Sequence, residues 1–252
     1  MPTTSPHLPF LLISIRAEQE AADDEYQSVL RLGRLEPIEL RGVNLTQQPL
    51  GSIDLDDWSG FILGGGPYNV SDPAECKTGT QRRVESELLD FVGRVVDADA
   101  PFLGCCYGVG TLGTAIGATV DRRYGEPVGA VSVTLTTDGR DDPLFAYVPE
   151  TFDAYGGHKE AAATLPATAA HLATSPTCPV QAFRVGKNVY ATQFHPELDA
   201  DSLATRIDVY RDFGYFAPEE ADSLKASARE RDARYPTEIL RRFVELYRRP
   251  AA

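Results

Sequence analysis

The feature that most constrains this fold is a short apolar run that stops at a cysteine between two glycines. Pro101 to Leu103 are apolar, Gly104-Cys105-Cys106-Tyr107-Gly108 follow, and small residues continue to Ile116. A strand that turns through Gly-x-Cys-x-Gly into a helix is typical of a nucleophile elbow in an α/β sheet. Such a turn holds the Cys106 side chain in a strained position at a helix N-terminus, which favours the thiolate. Cys105, in the variable place before it, is expected to be a buried apolar residue.

The rest of the chain predicts an α/β fold. Its strand-like runs are apolar throughout, so both faces of a mostly parallel sheet should be covered by helices. From residue 128 the pattern changes to β-rich alternation, and the tail is helical. We therefore predict a three-layer α/β domain over residues 1–200, with a small antiparallel addition, and a helical extension over 201–252 packed on it. Strands are predicted at 10–15, 37–40, 58–63, 101–104, 128–136, 151–155, 181–185 and 189–194, and helices at 21–35, 81–96, 203–213, 218–231 and 237–248.

Composition excludes several classes of function. Lys and Arg number 24 against 37 Asp and Glu, a net charge of −13, which argues against nucleic-acid phosphates and anionic membranes as partners. The four cysteines include no C-x-x-C pair, so neither a metal site nor a disulfide framework is expected. No charged segment in Met1 to Pro9 precedes a long apolar run, and residues 10–15 are too few for a signal sequence or a membrane span. We expect a cytoplasmic protein.

A second motif, Gln193-Phe194-His195-Pro196-Glu197, lies far downstream of the elbow. Alternate residues of a strand share a face, so His195 and Glu197 are expected to point the same way. Pro196 lacks a backbone N–H, which indicates a strand end. A thiol, an imidazole and a carboxylate are the components of a Cys-His-Glu relay, in which the carboxylate orients the imidazole. Gly64-Gly65-Gly66, after a predicted strand, can lend a backbone N–H to an oxyanion.

At these motifs the chain resembles the class I glutamine amidotransferases, and among them the glutaminase domain of GMP synthase. Phe61 to Pro67 resembles the family's strand ending in Ser-Gly-Gly-Pro, and the elbow resembles Gly-Ile-Cys-Tyr-Gly. Tyr155 to Glu160 resembles the run that contains Ser-His-Gly-Asp, and 193–197 the run into the catalytic His-Pro-Glu. The resemblance covers roughly residues 8 to 200. It implies a flavodoxin-like fold and no cofactor.

The resemblance also implies a role for each site residue. Cys106 would attack the γ-carboxamide carbon of glutamine, His195 would transfer protons, and Glu197 would orient His195. The N–H groups of Gly66 and Tyr107 would form the oxyanion hole. Further substrate-binding positions implied by the resemblance are Gly65, Gly110 and His158.

Two departures from the family pattern leave the substrate open. Val109-Gly110 stands where the family carries a substrate-seating glutamine, and Gly64 replaces a serine. We expect this chain to lack the nucleotide-activating and dimerisation domains of GMP synthase, because the residues that follow Glu197, about fifty with a helical pattern, are too few for the first of these.

Three functions remain open from the sequence. The leading hypothesis is a stand-alone amidotransferase that hydrolyses glutamine to glutamate and ammonia for a separate acceptor protein, such as a synthase subunit. The second is a γ-glutamyl peptidase or hydrolase with the same triad and a larger leaving group, and the third is a non-catalytic regulatory protein. The acceptor and the oligomeric state cannot be predicted from the sequence.

Overall fold

The centre of the molecule is a sheet of nine strands. It is described from a computed structural model, which gives the structure of residues 6–231 and 233–251. Residues 1–5, part of the stretch predicted not to be a leader, lie outside the described residues. The described residues form these nine strands and a separate pair, β5 and β8. In chain order the strands are β1 (Phe10–Ser14), β2 (Leu40–Asn44), β3 (Gly60–Leu63), β4 (Phe102–Cys105), β5 (Thr119–Asp121), β6 (Glu126–Leu135), β7 (Thr151–His158), β8 (Ala161–Thr164), β9 (Ala169–Thr174), β10 (Ala182–Val185) and β11 (Val189–Thr192). The helices are α1 (Gln19–Gly33), α2 (Gly79–Ala98), α3 (Tyr107–Ala115), α4 (Thr137–Arg140), α5 (Ala200–Val209), α6 (Ala221–Glu230) and α7 (Tyr235–Tyr247).

The order of strands brings the loops of interest together. Across the sheet it is β2-β1-β3-β4-β11-β10-β9-β6-β7. The first five of these are parallel, so their carboxyl ends lie at one edge, while the other four pair antiparallel. β4 lies between β3 and β11, so the loops that follow these three strands are neighbours at that edge. Strands β5 and β8 form a separate antiparallel pair.

Two apolar layers cover the sheet, as the unalternating strands predicted. In β1, Leu11 and Ile13 belong to one buried cluster, which contains side chains of α2 and α3. Phe10 and Leu12 belong to a second buried cluster, with side chains of α1 and α7. Successive residues of a strand face opposite sides, so the two clusters are the two faces of a three-layer structure. The predicted fold class is therefore confirmed.

The strand predicted at 37–40 is wrong in its position. Pro37–Glu39 is a short 3-10 helix, and the strand begins at Leu40. Proline fixes φ near the helical value, and Glu36 and Glu39 cap this turn reciprocally, so the segment bends before it extends. Strands β8 and β9 were not predicted, because they are rich in alanine and lack a β-branched pattern.

The helical tail is present and packs back on the sheet. Ile239, Phe243 and other apolar residues of α7 lie in the same buried cluster as α1. Leu203 and Ile207 of α5 pack with Tyr155 of β7 in a third cluster. The division into residues 1–200 and 201–252 stays a prediction. Within residues 6–231 and 233–251, no helix has both the length and the apolar composition needed to cross a bilayer.

Candidate active site

Cys106 lies at a strained turn between β4 and α3. Its φ of 53° and ψ of −87° are unusual for a residue that is not glycine. Its backbone N–H donates to the carbonyl of Thr192 at 2.7 Å, and α3 begins at the next residue, Tyr107. A Cβ on Gly104 would lie 2.9 Å from Cα of Gly108, so the turn closes only with glycine there. The predicted elbow geometry is present.

The neighbouring strand β11 brings His195 and Glu197 to this turn. Nδ1 of His195 and Oε1 of Glu197 are 2.6 Å apart. The His195 ring lies beside Cys106, since a Cβ on Gly65 would lie 2.6 Å from Cε1 of His195 and 3.4 Å from Cβ of Cys106. The strand ends at Thr192, so the predicted alternation on a strand is not the reason for the contact. A turn places the two side chains together, with the N–H of Leu198 donating to the His195 carbonyl at 3.3 Å.

Burial and mutual attraction set the charges of this pair. Burial alone would lower the pKa of His195, but the Glu197 charge and the hydrogen bonds outweigh it and raise that pKa to about 10. Burial alone would raise the pKa of Glu197, but His195 lowers it to about 2. At neutral pH an imidazolium and a carboxylate therefore face each other beside the Cys106 sulfur. This arrangement can activate a thiol and carry a proton to a leaving group.

The adjacent cysteine has a different environment. Cys105 is fully buried, whereas Cys106 is partly exposed. Burial, and then the Glu197 charge, raise the pKa of the Cys105 thiol well above its usual range. Of the two cysteines, Cys106 is the one that is accessible and lines the cavity with His195, and Cys105 is buried as expected.

The three glycines after β3 each make room for a different group. A Cβ on Gly64 would lie 2.4 Å from Oε1 of Glu25, and one on Gly65 would lie 2.6 Å from Cε1 of His195. A Cβ on Gly66 would lie 2.6 Å from Cγ1 of Ile15. The loop is therefore packed closely against the site. The second predicted oxyanion donor, Tyr107, is the first residue of α3, where the N–H has no intrahelical partner.

A buried ion pair that the sequence analysis missed supports this loop. Nε of Arg16 donates to Oε1 of Glu25 at 2.8 Å, and Nη1 donates to the hydroxyl of Tyr210 at 3.1 Å. Both charged side chains are almost completely buried. The available signal was the position of Arg16, a charged residue directly after an apolar strand. Glu25, inside an amphipathic helix, carried none.

His158 and Gly110, predicted to bind substrate, both lie against other residues of the chain. Nδ1 of His158 is 2.8 Å from the carbonyl of Glu160, and Nε2 is 3.0 Å from Oε2 of Glu126. Both partners are acceptors, so His158 is held at the wall of the site by its own chain. A Cβ on Gly110 would lie 2.7 Å from Oε1 of Glu160. These two positions thus shape the site through Glu160.

A buried polar cluster stands behind His158. The possible ligand atoms of Glu126, His158 and Cys178 lie within 4.8 Å of one another. Glu126 also accepts from the hydroxyls of Ser175 and Thr177. Burial alone would raise the pKa of Glu126, but the hydrogen bonds with His158, Thr177 and Ser175 outweigh it and lower that pKa to about 2. Hydrogen bonds account for the arrangement, and its effect is to fix His158.

Two cavities meet at Cys106. The apolar cavity measures about 550 Å³ including its open part, and the polar cavity about 250 Å³. Both are lined by Gly66, Cys106, Gly157 and Tyr215. Residues of the C-terminal segment that line the apolar cavity are Leu203, Arg206, Ile207, Tyr210, Tyr215 and Phe216. The polar cavity adds Tyr68, Asn69, Tyr107, His158, Lys159, Glu160 and Gln193. The sequence analysis gave no role to Lys159, Glu160 or the C-terminal segment.

Comparisons with known proteins agree with this geometry. The sequence profile of the family described as "Glutamine amidotransferase class-I" matches residues 26–207. One subunit of the glutamine-hydrolysing GMP synthase of Thermoplasma acidophilum is 28% identical over 166 residues, which cover 65% of this chain and 74% of that protein. Gamma-glutamyl peptidase 3 of Arabidopsis thaliana is 25% identical over 180 residues, 69% of this chain and 68% of that protein.

The similarity extends to the whole fold but not to every relative's full length. A crystal structure of a glutamine amidotransferase from Thermotoga maritima matches with a TM-score of 0.74 and 22% identity, over 96% of this chain and 98% of that one. The chain spans only 29% of the length of the GMP synthase of Petrotoga mobilis.

Proposed function

This chain belongs to the class I glutamine amidotransferase family, and from that premise we propose that it hydrolyses the γ-amide of glutamine through a thioester on Cys106. The observation that carries the proposal is the position of the partly exposed Cys106 beside the His195–Glu197 pair, at the wall of one cavity. A thiol beside an imidazole that a carboxylate orients is the arrangement needed for covalent acyl transfer.

In the first half-reaction the acyl group moves to the enzyme. His195 holds the proton of the Cys106 thiol while the Cys106 sulfur forms a bond to the γ-carbonyl carbon, and the carbonyl oxygen becomes an oxyanion. The N–H groups of Gly66 and Tyr107 stabilise this charge. The bond between the carbon and the amide nitrogen then breaks, the proton on His195 passes to that nitrogen, and ammonia leaves.

In the second half-reaction water releases the product. His195, now neutral, takes a proton from a water molecule that attacks the thioester carbon. The carbon–sulfur bond breaks, glutamate leaves, and the Cys106 thiolate and the His195 imidazolium are restored. Glu197 keeps Nδ1 of His195 in place through both steps, at the 2.6 Å distance seen here.

The test is hydrolysis of glutamine by the isolated chain, with glutamate and ammonia measured separately. We expect equal amounts of the two products, and a γ-glutamyl adduct on Cys106 in acid-quenched samples analysed by mass spectrometry. Absence of turnover and of adduct with every γ-glutamyl amide tested contradicts the proposal and leaves the non-catalytic regulatory hypothesis. Stimulation by a cell extract would point to the separate ammonia acceptor of the leading hypothesis.

A second candidate, a γ-glutamyl peptidase or hydrolase, is favoured by the apolar cavity. Ammonia needs little more space than one water molecule, about 30 Å³. Beside Cys106 and His195 the chain instead builds a wider cavity, walled by Leu203, Ile207 and Phe216 among others. Such walls suit an amine with an apolar body, because its burial is favourable. The relative named gamma-glutamyl peptidase is consistent with this candidate.

Matched substrates separate the two candidates. Glutamine, γ-glutamyl-methylamide and γ-glutamyl-leucine carry the same acyl group and progressively larger amines. A kcat/KM that rises along this series supports the peptidase, and one that falls supports the glutaminase. Phe216→Ala, which removes one wall, should lower kcat/KM for the leucine compound only if that wall contacts the leaving group.

A further inference from the structure

A buried arginine brings a nitrogen without a hydrogen bond to the wall of the apolar cavity. Arg16 is 3% exposed and lines this cavity together with Cys106 and His195. Its Nε donates to Oε1 of Glu25 at 2.8 Å, and its Nη1 donates to the hydroxyl of Tyr210 at 3.1 Å. Among the residues that the structure describes, Nη2 has no acceptor. The guanidinium is therefore held at two nitrogens and keeps the N–H groups of the third for a ligand.

This nitrogen lies next to the reacting groups. A Cβ on Gly65 would lie 3.4 Å from Nη2 of Arg16, 3.4 Å from Cβ of Cys106 and 2.6 Å from Cε1 of His195. Atoms that surround one point at such distances are close neighbours. Because the guanidinium is planar and rigid, its two bonds to Glu25 and Tyr210 also fix where Nη2 stands relative to the nucleophile.

A second buried arginine lines the same cavity. Arg206 is 6% exposed, its Nη1 donates to the carbonyl of Ala21 at 2.6 Å, and this nitrogen lies 3.0 Å from Oδ2 of Asp24. Its Nε and Nη2 are buried without a partner in the described part of the chain. Burial, and then the charge of Arg16, lower the pKa of the Arg206 guanidinium to about 10. The two cations therefore repel each other, and an anion in the cavity would offset that repulsion.

The ligand that suits this wall is an anion close to the bond that breaks. The cavity lining has two arginines and, over the described residues, no Asp or Glu side chain. Guanidinium groups bind carboxylates through charge-assisted hydrogen bonds, which are about twice as strong as neutral ones. In a γ-glutamyl amino acid, the carboxylate of the leaving amino acid is attached to the same carbon as the leaving nitrogen, so it stays near the Cys106 sulfur. The side chain on that carbon would lie against Leu203, Ile207 and Phe216.

We propose that Arg16 binds the α-carboxylate of the amino acid released from a γ-glutamyl amino acid, and that Arg206 adds a second positive charge. This inference rests on the proposed acyl transfer at Cys106, and it names the leaving group as an α-amino acid with a free carboxylate and an apolar side chain. Ammonia and simple amines leave Nη2 of Arg16 without its anion, which makes their amides poorer substrates.

The test compares substrates that differ only in the charge of the leaving amine. γ-Glutamyl-isopentylamide is γ-glutamyl-leucine without its terminal carboxylate, and γ-glutamyl-leucinamide replaces that carboxylate with a neutral amide. For the native chain we expect kcat/KM to be about 10- to 100-fold higher for γ-glutamyl-leucine than for either compound, the range of one hydrogen bond to a charged group. Equal kcat/KM values for the three compounds overturn the proposal.

Arg16→Lys assigns the preference to this residue. A lysine keeps a cation for Glu25 but loses the rigid fork that supplies Nη2, so the preference for γ-glutamyl-leucine should fall to near unity. Misfolding or damage to the nucleophile instead lowers the rates for all three compounds by the same factor. A preference that persists in folded Arg16→Lys, with equal losses on all substrates, assigns a structural role and overturns the proposal.

A matched arginine elsewhere provides the control variant. Nε of Arg184 donates to the buried carboxylate of Asp142 at 2.7 Å, as Arg16 does to Glu25, but Arg184 lines neither cavity. Arg184→Lys should leave the preference for γ-glutamyl-leucine unchanged. An equal fall of the preference in both lysine variants would mean that loss of any such ion pair produces the effect, and would overturn the assignment to Arg16.

A binding measurement gives the answer even if Arg16→Lys does not fold. Calorimetry on Cys106→Ser compares γ-glutamyl-leucine with γ-glutamyl-isopentylamide. Binding that is about tenfold or more tighter for γ-glutamyl-leucine supports the carboxylate site, and equal affinity overturns it. Hydrolysis of glutamine without any preference for γ-glutamyl-leucine over the isopentylamide refutes this inference alone, whereas no hydrolysis of any γ-glutamyl amide refutes the proposed function.

Discussion

Replacing Gly65 with alanine tests whether the glycine loop makes room for His195, the residue proposed to transfer protons. The φ of Gly65 lies outside the left-handed region, so the backbone accepts alanine. The new Cβ would stand 2.6 Å from Cε1 of His195 and 3.4 Å from Cβ of Cys106. An ordinary contact begins near 3.4 Å, so the ring must withdraw by roughly 0.8 Å. That movement takes His195 out of line with the thiol.

The expected result is a loss of kcat that is much larger than the loss of stability. A misplacement of about 1 Å in a reacting group costs on the order of 100-fold in rate, while a single overpacked methyl costs about 1 to 3 kcal/mol of unfolding free energy. Steady-state hydrolysis of glutamine gives the first quantity and denaturant unfolding the second.

The neighbouring glycines supply the comparison. Gly64→Ala would place its Cβ 2.4 Å from Oε1 of Glu25 and disrupt a buried ion pair with Arg16, which should cost about 3 to 5 kcal/mol. Gly93→Ala, in the interior of α2 with no atom within 4 Å of the added Cβ, should stabilise by about 0.5 to 1 kcal/mol and leave turnover unchanged. A folded Gly65→Ala enzyme with native kcat would refute the reasoning.

Three further predictions concern the thiols, the His195–Glu197 pair and the pH dependence of stability. Cys106→Ser should abolish turnover while Cys105→Ser retains most of it, and alkylation mapped by mass spectrometry should label Cys106 first; preferential labelling of Cys105 would reverse the assignment. Glu197→Gln should reduce kcat less than His195→Ala does, since one orients and the other transfers the proton. Because the pKa of His195 is raised to about 10 in the folded chain, the stability from its cation is complete below its unfolded pKa of about 6.5 and is lost as the pH rises through about 10. The melting temperature of the native chain should therefore fall between about pH 7 and 10, and less steeply in Glu197→Gln; equal slopes would contradict the coupling.

The parallel half of the fold and the placement of His195 and Glu197 beside Cys106 could be predicted because their signals are local. Each apolar strand is continuous in the sequence, and the loops after β3, β4 and β11 each contain a recognisable motif. Parallel strands then bring those loops to one edge, so His195 was expected near Cys106 despite the separation along the chain. The details of that contact still differed, since a turn after Thr192 replaces the expected strand.

The rest of the site depends on side chains that fill one another's space. Gly110 marks a missing side chain, but nothing near it in the sequence indicates that Glu160 takes the place. Gly64, in the loop after β3, likewise departs from the family pattern, and the side chain that takes up the space there belongs to Glu25 on α1. Arg206 and Phe216 reach the apolar cavity from a segment that was predicted only as helices. Such long-range complementarity has no periodicity and no motif.

The apolar walls beside Cys106 also affect what happens to the thioester after the amine has left it. A large amine released into that cavity stays next to the acylated sulfur for as long as its contacts with Leu203, Ile207 and Phe216 last. During that time it competes with water for the same carbonyl carbon. If the proposed thioester forms, hydrolysis would depend on the escape of the amine, and added amines that fit the same walls would become acceptors. Exchange of one γ-glutamyl amide for another would then accompany hydrolysis.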